Sequence, residues 1–252
     1  MDEYENLRYE HRRDGDVAVV TIDRPEARNA IDGATADELN DAWTRFDDGD
    51  AKVGVLTGAD GVFCAGADLK KMDLEDDEDG YLGMSRLHVS KPTIAAVEGH
   101  CVAGGLELAL WCDMRIASEG AVFGCFERRY GVPLVDGGTQ RLPRVVGLGR
   151  ALEMIETGRP VEADEAYDWG LANEVTDEGD ALESAVETAG RIASFPQQTV
   201  RTDRAAVYDG IGESLEDGMK IEAWHGSRSL TTAAEGARRF AEGEGRGGEG
   251  VE

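Results

Sequence analysis

Lysine is scarce in this 252-residue chain, occurring only as Lys52, Lys70, Lys71, Lys91 and Lys220, and arginine supplies the other basic residues. With 26 basic against 52 acidic residues the net charge is −26. A basic footprint is therefore missing, which argues against nucleic acid or an anionic membrane surface as a partner. Long apolar runs are missing too, since none approaches the roughly 20 residues that span a bilayer. The opening Met1-Asp2-Glu3-Tyr4-Glu5 has neither a basic stretch nor an apolar one, so no signal peptide is read and a cytoplasmic location is expected. The four cysteines, Cys64, Cys101, Cys112 and Cys125, form no CxxC pair, and no His/Cys cluster has metal-ligand spacing. They read best as small buried hydrophobes. A nucleophilic Cys64 or Cys125 stays open, but no histidine lies near either in sequence to activate it. Four histidines in the whole chain also make a histidine-based triad a weak proposition. No phosphate-binding GxxxxGK occurs, and no GxGxxG follows a strand and opens a helix as the dinucleotide fingerprint requires.

What is abundant is acid, spread between well-patterned apolar segments. At low salt such a surface repels itself, whereas molar salt shortens the screening length to about 3 Å. The expectation is a protein adapted to a salt-rich cytoplasm; the plainer alternative is an acidic, soluble enzyme.

The chain begins with two extended runs, Leu7 to Arg13 and Val17 to Asp23, separated by the hairpin signal Asp14-Gly15. A helix is expected from about Thr35 to Phe46, carrying Leu39, Trp43 and Phe46 at helical spacing. Short buried strands are expected at 53–57, 92–97 and 114–117, with an almost wholly apolar helix at 104–111. Strands alternating with helices from 50 to 175 argue for an α/β fold. Beyond Ala181 only helical segments are read, near 180–194, 197–209 and 213–240. The expected organisation is a core over 1–190, a helical region over 191–242 and a disordered tail over 243–252.

Two Gly-rich segments stand out: Phe63-Cys64-Ala65-Gly66-Ala67-Asp68-Leu69 and Gly99-His100-Cys101-Val102-Ala103-Gly104-Gly105-Leu106-Glu107. Small residues let backbone come close to a ligand, so two such turns can aim bare N–H groups at one oxygen. Glu107 lies in a run that otherwise belongs in a core, where a lone carboxylate must be protonated, paired or functional. A structural hydrogen bond or a surface position remains the alternative. The turn before it would supply a helix N-terminus, which favours an anion. Glu127 is weaker alone, because Arg128-Arg129 follow it and a solvated ion pair is the plainer reading. Arg24, Arg28, Lys70 and Lys71 invite a similar discount, yet they flank the Gly-rich turns in a strongly acidic chain. A polyphosphate ligand would explain that placement.

These segments, with Arg24-Pro25-Glu26-Ala27-Arg28-Asn29-Ala30, Gly138-Thr139-Gln140-Arg141-Leu142, Arg159-Pro160-Val161 and Ala166-Tyr167-Asp168-Trp169-Gly170-Leu171-Ala172, resemble the enoyl-CoA hydratase/isomerase (crotonase) superfamily. The resemblance runs from about Leu7 to Phe240. It implies a spiral of ββα units with a C-terminal helical region, homotrimers or paired trimers, and acyl thioesters of coenzyme A as substrates. It places an oxyanion hole on the N–H groups of Ala67 and Gly104, each donor contributing roughly 3 kcal/mol to the transition state. It makes Glu107 and Glu127 the catalytic pair and puts Ala27, Ala65, Ala67, Asp68 and Leu69 along the coenzyme A channel. Arg24, Arg28 and Lys70 are expected as further contacts because of their charge beside the Gly-rich turns. The implied reaction is reversible hydration of a trans-2-enoyl-CoA, with no metal or redox cofactor, coenzyme A being part of the substrate.

Three departures stand beside the resemblance. The second glutamate follows Cys125-Phe126 where the family usually has Gln-Pro, and Leu106 replaces a common glycine. The basic tail contact to coenzyme A is missing, or moved to Arg238, Arg239 or Arg246. Acyl length and branching stay open, as do trimer against hexamer and the rival enolate reactions: isomerisation, hydrolysis and decarboxylation. A non-catalytic acyl-CoA-binding scaffold is the rival from another class.

Overall fold

The computed structural model describes residues 4–243. The tail expected to be disordered, and with it Arg246, lies outside the described residues except for Gly243.

Strands β1 (Leu7–Arg12) and β2 (Val17–Ile22) form the expected antiparallel hairpin, pairing Leu7 with Ile22 and Arg12 with Val17. The connection is a 3-10 turn over Arg13–Gly15, and all three of its residues hold positive φ. Helix α1 (Gly33–Asp48) is capped by Asp32, whose side chain accepts the Thr35 N–H at 2.9 Å. The sheet continues in parallel through β3 (Val53–Gly58), β4 (Thr93–Val97), β6 (Met114–Ser118) and β9 (Glu174–Thr176), in the order β1-β2-β3-β4-β6-β9. A second layer has β5 (His100–Val102), β7 (Val122–Gly124) and β8 (Val161–Glu162). Isolated bridges, Cys64 to Cys101 and Ile31 to Ala67, carry it across to the first Gly-rich turn. The chain thus steps from a strand of the large sheet to a strand of the small one and then into a helix. One such step is β4, β5 and α2 (Gly104–Trp111).

Side-chain alternation divides the large sheet between two cores. Ala18, Val20 and Ile22 of β2 face the interior of the spiral, together with Leu39, Trp43 and Phe46 of α1. Val17 and Val19 face the other way, onto Ala185, Val186, Ala189 and Ala193 of α6 (Ala181–Ala193). Because both faces are covered, all six residues of β2 are buried. A unit boundary at residue 190 would cut α6, whose packing on the sheet carries the core to Ala193.

Between 138 and 168 lie α3 (Gly138–Val146), α4 (Leu148–Thr157) and α5 (Ala163–Asp168). No individual element is expected there from the sequence, nor β5, β7, β8 or β9; strands of two or three residues are too short to show a period. C-terminal to the core come α7 (Gln197–Gly210), α8 (Leu215–Ser227) and α9 (Leu230–Glu242). The continuous helix expected at 213–240 is broken at Arg228-Ser229. Buried Ser229 shares a 2.6 Å hydroxyl contact with Thr202 of α7, which pins the break. Helix α7 docks on the core through Arg204, paired with Asp113 at 2.8 Å, and Tyr208, which donates to the same carboxylate at 2.5 Å.

Candidate active site

The two Gly-rich segments meet. Gly66 (φ 93°) sits so close to the start of α2 that a Cβ built on it would lie 2.8 Å from the Gly104 nitrogen and 2.9 Å from Ala103 Cβ. A Cβ on Gly105 would come within 2.2 Å of the Cys64 carbonyl oxygen. Glycine at both positions is thus a condition of the approach. The residue between the strand and α2, Ala103, has φ 54° and ψ −127°, a conformation a side-chain-bearing residue adopts at a cost. Its N–H is held by the Gly124 carbonyl at 2.8 Å, and its carbonyl accepts from Leu106 at 3.0 Å. The strain turns the chain so that α2 opens toward the first turn. Among the described residues no backbone acceptor takes the N–H of Ala67 or of Gly104. Both residues line one cavity of about 330 Å³.

Glu107 and Glu127 line the same cavity. Glu107 is carried by α2, whose far end is fixed by buried Arg115. That guanidinium donates to the Cys112 carbonyl at 3.0 Å and to Leu171 at 2.6 Å. The Glu107 Oε1 accepts from the N–H of Asp136 at 2.9 Å and of Gly138, the first residue of α3, at 2.8 Å. Burial pushes its pKa up to about 7; the Gly138 and Asp136 N–H groups oppose that rise, and the Asp136 and Glu127 charges add to it. Glu127 stands on a 3-10 turn over Phe126–Tyr130. Both its carboxylate oxygens are buried without a hydrogen-bond partner among the described residues. Burial raises its pKa as well.

The solvated ion pair considered for Glu127 does not form. Arg128 donates to the Ile155 carbonyl at 3.0 Å, and Arg129 donates to Gly158 at 3.2 Å and lies over the Phe126 ring. Both arginines turn outward, so Glu127 is left facing the cavity. Burial also raises the pKa of all four cysteines and keeps them as thiols, the state of inert packing residues.

Of the positions expected along a coenzyme A channel, Ala65, Ala67, Asp68 and Leu69 are on the cavity wall. Arg24, Ala27, Arg28 and Lys70 are not. The expectation for Arg24 needs correction, because its guanidinium is buried and spent. It pairs with Asp32 at 2.8 Å and Asp68 at 3.2 Å, and donates to the Ala30 carbonyl. Lys71 also reaches Asp32. Arg24 therefore fixes the turn that presents Ala67. Ala27 is half-buried, while Arg28 and Lys70 are exposed beside that turn, where the Arg28 carbonyl accepts the Ala65 N–H at 3.1 Å.

Asp136 is a cavity residue the sequence reading did not single out. Its side chain accepts from Leu82 N–H at 3.2 Å and from the Ser85 hydroxyl, tying the segment over the cavity to the cradle of Glu107. Arg141 locks the same joint, donating to the carbonyls of Asp136 at 2.9 Å and Ser85 at 2.6 Å. The only signal was position: Asp136 immediately precedes the Gly137-Gly138-Thr139-Gln140-Arg141 run.

The sequence model of the enoyl-CoA hydratase/isomerase family matches residues 12–245, and the chain belongs to that family. Crotonyl-CoA hydratase of Syntrophomonas wolfei is 40% identical over 230 residues, spanning 87% of this chain and 88% of the relative. A probable enoyl-CoA hydratase of Rhizobium meliloti is 40% identical over 227 residues, 87% of each chain. The crystal structure of an enoyl-CoA hydratase from Mycobacterium marinum superposes with a TM-score of 0.89 at 34% identity, covering 94% of this chain and 96% of that one. The α/β architecture is thus that of solved family members.

Proposed function

We propose that this protein adds water reversibly across the double bond of a trans-2-enoyl-CoA to give the 3-hydroxyacyl-CoA. The observation that carries the reading is the convergence, in one cavity, of the Ala67 and Gly104 N–H groups with two buried carboxylates, one of them unpartnered. The N–H pair would receive the thioester oxygen as it gains enolate charge. A water between Glu107 and Glu127 would attack the β-carbon. One carboxylate would take its proton and the other, Glu127, would supply a proton at the α-carbon. Two carboxylates on one cavity wall, the charge of one raising the other, would titrate as a pair. The reading requires no metal or redox cofactor; coenzyme A enters with the substrate. Exposed Arg28 and Lys70 beside the oxyanion turn would meet its phosphates.

Three further parts of the reading rest on the surface. The exposed apolar residues Leu215, Trp224 and Leu230 on α8 and α9 support a homotrimer or a dimer of trimers. The net charge of −26 supports a salt-rich cytoplasm as the working medium. No described helix is long and apolar enough to cross a membrane. The test is an assay of the purified protein against enoyl-CoA thioesters of graded chain length, in high and in low KCl. Loss of conjugation with water uptake is the expected result. A shifted double bond would reassign the site to isomerisation, and thioester binding without turnover would make the protein a scaffold.

A further inference from the structure

We propose that a second cavity, between the core and the α7–α8 pair, binds an inorganic oxyanion of the phosphate or sulfate type. This cavity, of about 800 Å³, lies between α3, the segment 87–90, α7 and α8. Five arginines stand on its wall: Arg141, Arg144, Arg201, Arg204 and Arg228. Among the described residues its only wall carboxylate is Asp209. In a chain with twice as many acids as bases, this is an inversion of the prevailing charge.

Most of these cations have some occupation. Arg204 is paired with Asp113, Arg141 serves the Asp136 and Ser85 carbonyls, Arg144 donates to Gln140, and Arg228 lies over the Trp224 ring. Arg201 differs. Its Nε is buried without a partner, and no carboxylate among the described residues pairs with its guanidinium. Its charged neighbour is a further cation, Lys91, whose Nζ donates to the Phe46 carbonyl at 2.7 Å and Gly49 at 2.6 Å. Burial and then the Arg201 charge draw the Lys91 pKa down, against Asp47, Asp48 and Asp50. His225, also on the cavity wall, is 4% exposed. Its Nε2 meets Asp209 at 2.8 Å, while its Nδ1 is buried and unpartnered.

An unpaired buried donor, here the Arg201 Nε, and uncompensated like charges are both costly. An oxyanion answers both, because its oxygens accept from guanidinium forks and its charge offsets theirs. Its binding would tie α7 and α8 to the core, since Arg201 comes from α7, Arg228 from the end of α8 and Arg144 from α3.

The test follows thermal unfolding of the full chain at fixed ionic strength while KCl is exchanged for potassium phosphate. Wild type should gain stability saturably, and Arg201→Gln should weaken phosphate about tenfold, the loss of one charge-assisted contact worth ~1.4 kcal/mol. Arg228→Gln serves the same purpose should Arg201→Gln not fold, and Arg8→Gln, at a residue that is not on the cavity wall and pairs with Asp23, should respond like wild type. A crystal grown with selenate should show the ion against Arg201. The proposal is overturned by an equal, unsaturating response in all variants, which would be a general salt effect. It is equally overturned by a selenate without any variant effect, an adventitious ion only, or by a carboxylate of a second copy seated on Arg201.

Discussion

Asp32 and Glu107 are both buried carboxylates, 1% and 3% exposed, and their surroundings move them in opposite directions. Around Asp32 burial alone would raise the pKa, but Lys71, the Thr35 hydroxyl and N–H, and Arg24 bring it down to about 2. Among the described residues no cation pairs directly with Glu107, and two backbone N–H groups leave it at about 7. The Asp32 cluster is a joint: fully paired, ionised at every working pH, holding the turn that carries Ala67. The Glu107 cradle is a site, where a carboxyl sits near the pH at which a proton can be given or taken. What separates structure from chemistry in this molecule is whether a buried carboxylate has a directly paired counter-charge.

Breaking the site should have the largest effect. Glu127→Gln is expected to lower kcat about 10²–10⁴-fold while leaving thioester affinity close to wild type; turnover within a few-fold of wild type would remove Glu127 from the mechanism. Breaking the joint comes next, and should show in stability instead. Arg24→Gln leaves Asp32 and Asp68 short of a partner and should cost about 3–5 kcal/mol by denaturant unfolding. A raised KM for coenzyme A thioesters with unchanged stability would restore Arg24 as a substrate contact.

Gly66→Ala tests the link between the two regions. The added methyl meets the Gly104 amide, and at φ 93° it is also strained. The expectation is a loss of about 10²–10³ in kcat, the scale of one oxyanion donor. Similar kcat in that variant would mean that the two turns do not act together.

The smallest effect concerns pH and sharpens the comparison by its sign. Glu107 is raised from an ordinary 4.5 to about 7, so the folded state holds its proton longer than the unfolded state. That contribution is fully present below pH 4.5 and is lost as pH rises through 7, on the order of 3 kcal/mol in all. Asp32 runs the other way: its contribution is present above its ordinary 3.8 and lost as pH falls through about 2. Unfolding wild type and Glu107→Gln at pH 5 and pH 8 in equal salt should show the variant gaining relative stability at pH 8. A constant difference between the two would mean that Glu107 is not held protonated by the fold.

Much of this was legible in the residues. The hairpin at Asp14-Gly15 and helix α1 follow from patterns within a few residues, and so does the buried helix carrying Glu107. So did the glycines: Gly66 and Gly105 had to be small for two segments to touch. The readings that needed revision each depended on a partner distant in sequence. Arg24 was expected to meet coenzyme A because Asp32 and Asp68 are brought to it only by folding. For Glu127 only the resemblance spoke against a solvated ion pair with Arg128 or Arg129, since nothing local says that both turn away to carbonyls at 155 and 158. Asp136 escaped notice because its use lies in contacts to Leu82, Ser85 and the Glu107 cradle.

The sequence by itself therefore determined which chemical groups the protein has and the local shapes that carry them, since propensity, capping and glycine placement act over a few residues. The tertiary structure alone decided which acids are ionised and which can exchange a proton. That depends on the dielectric and the counter-charges around a carboxylate, and both are supplied by segments that meet only in the folded chain.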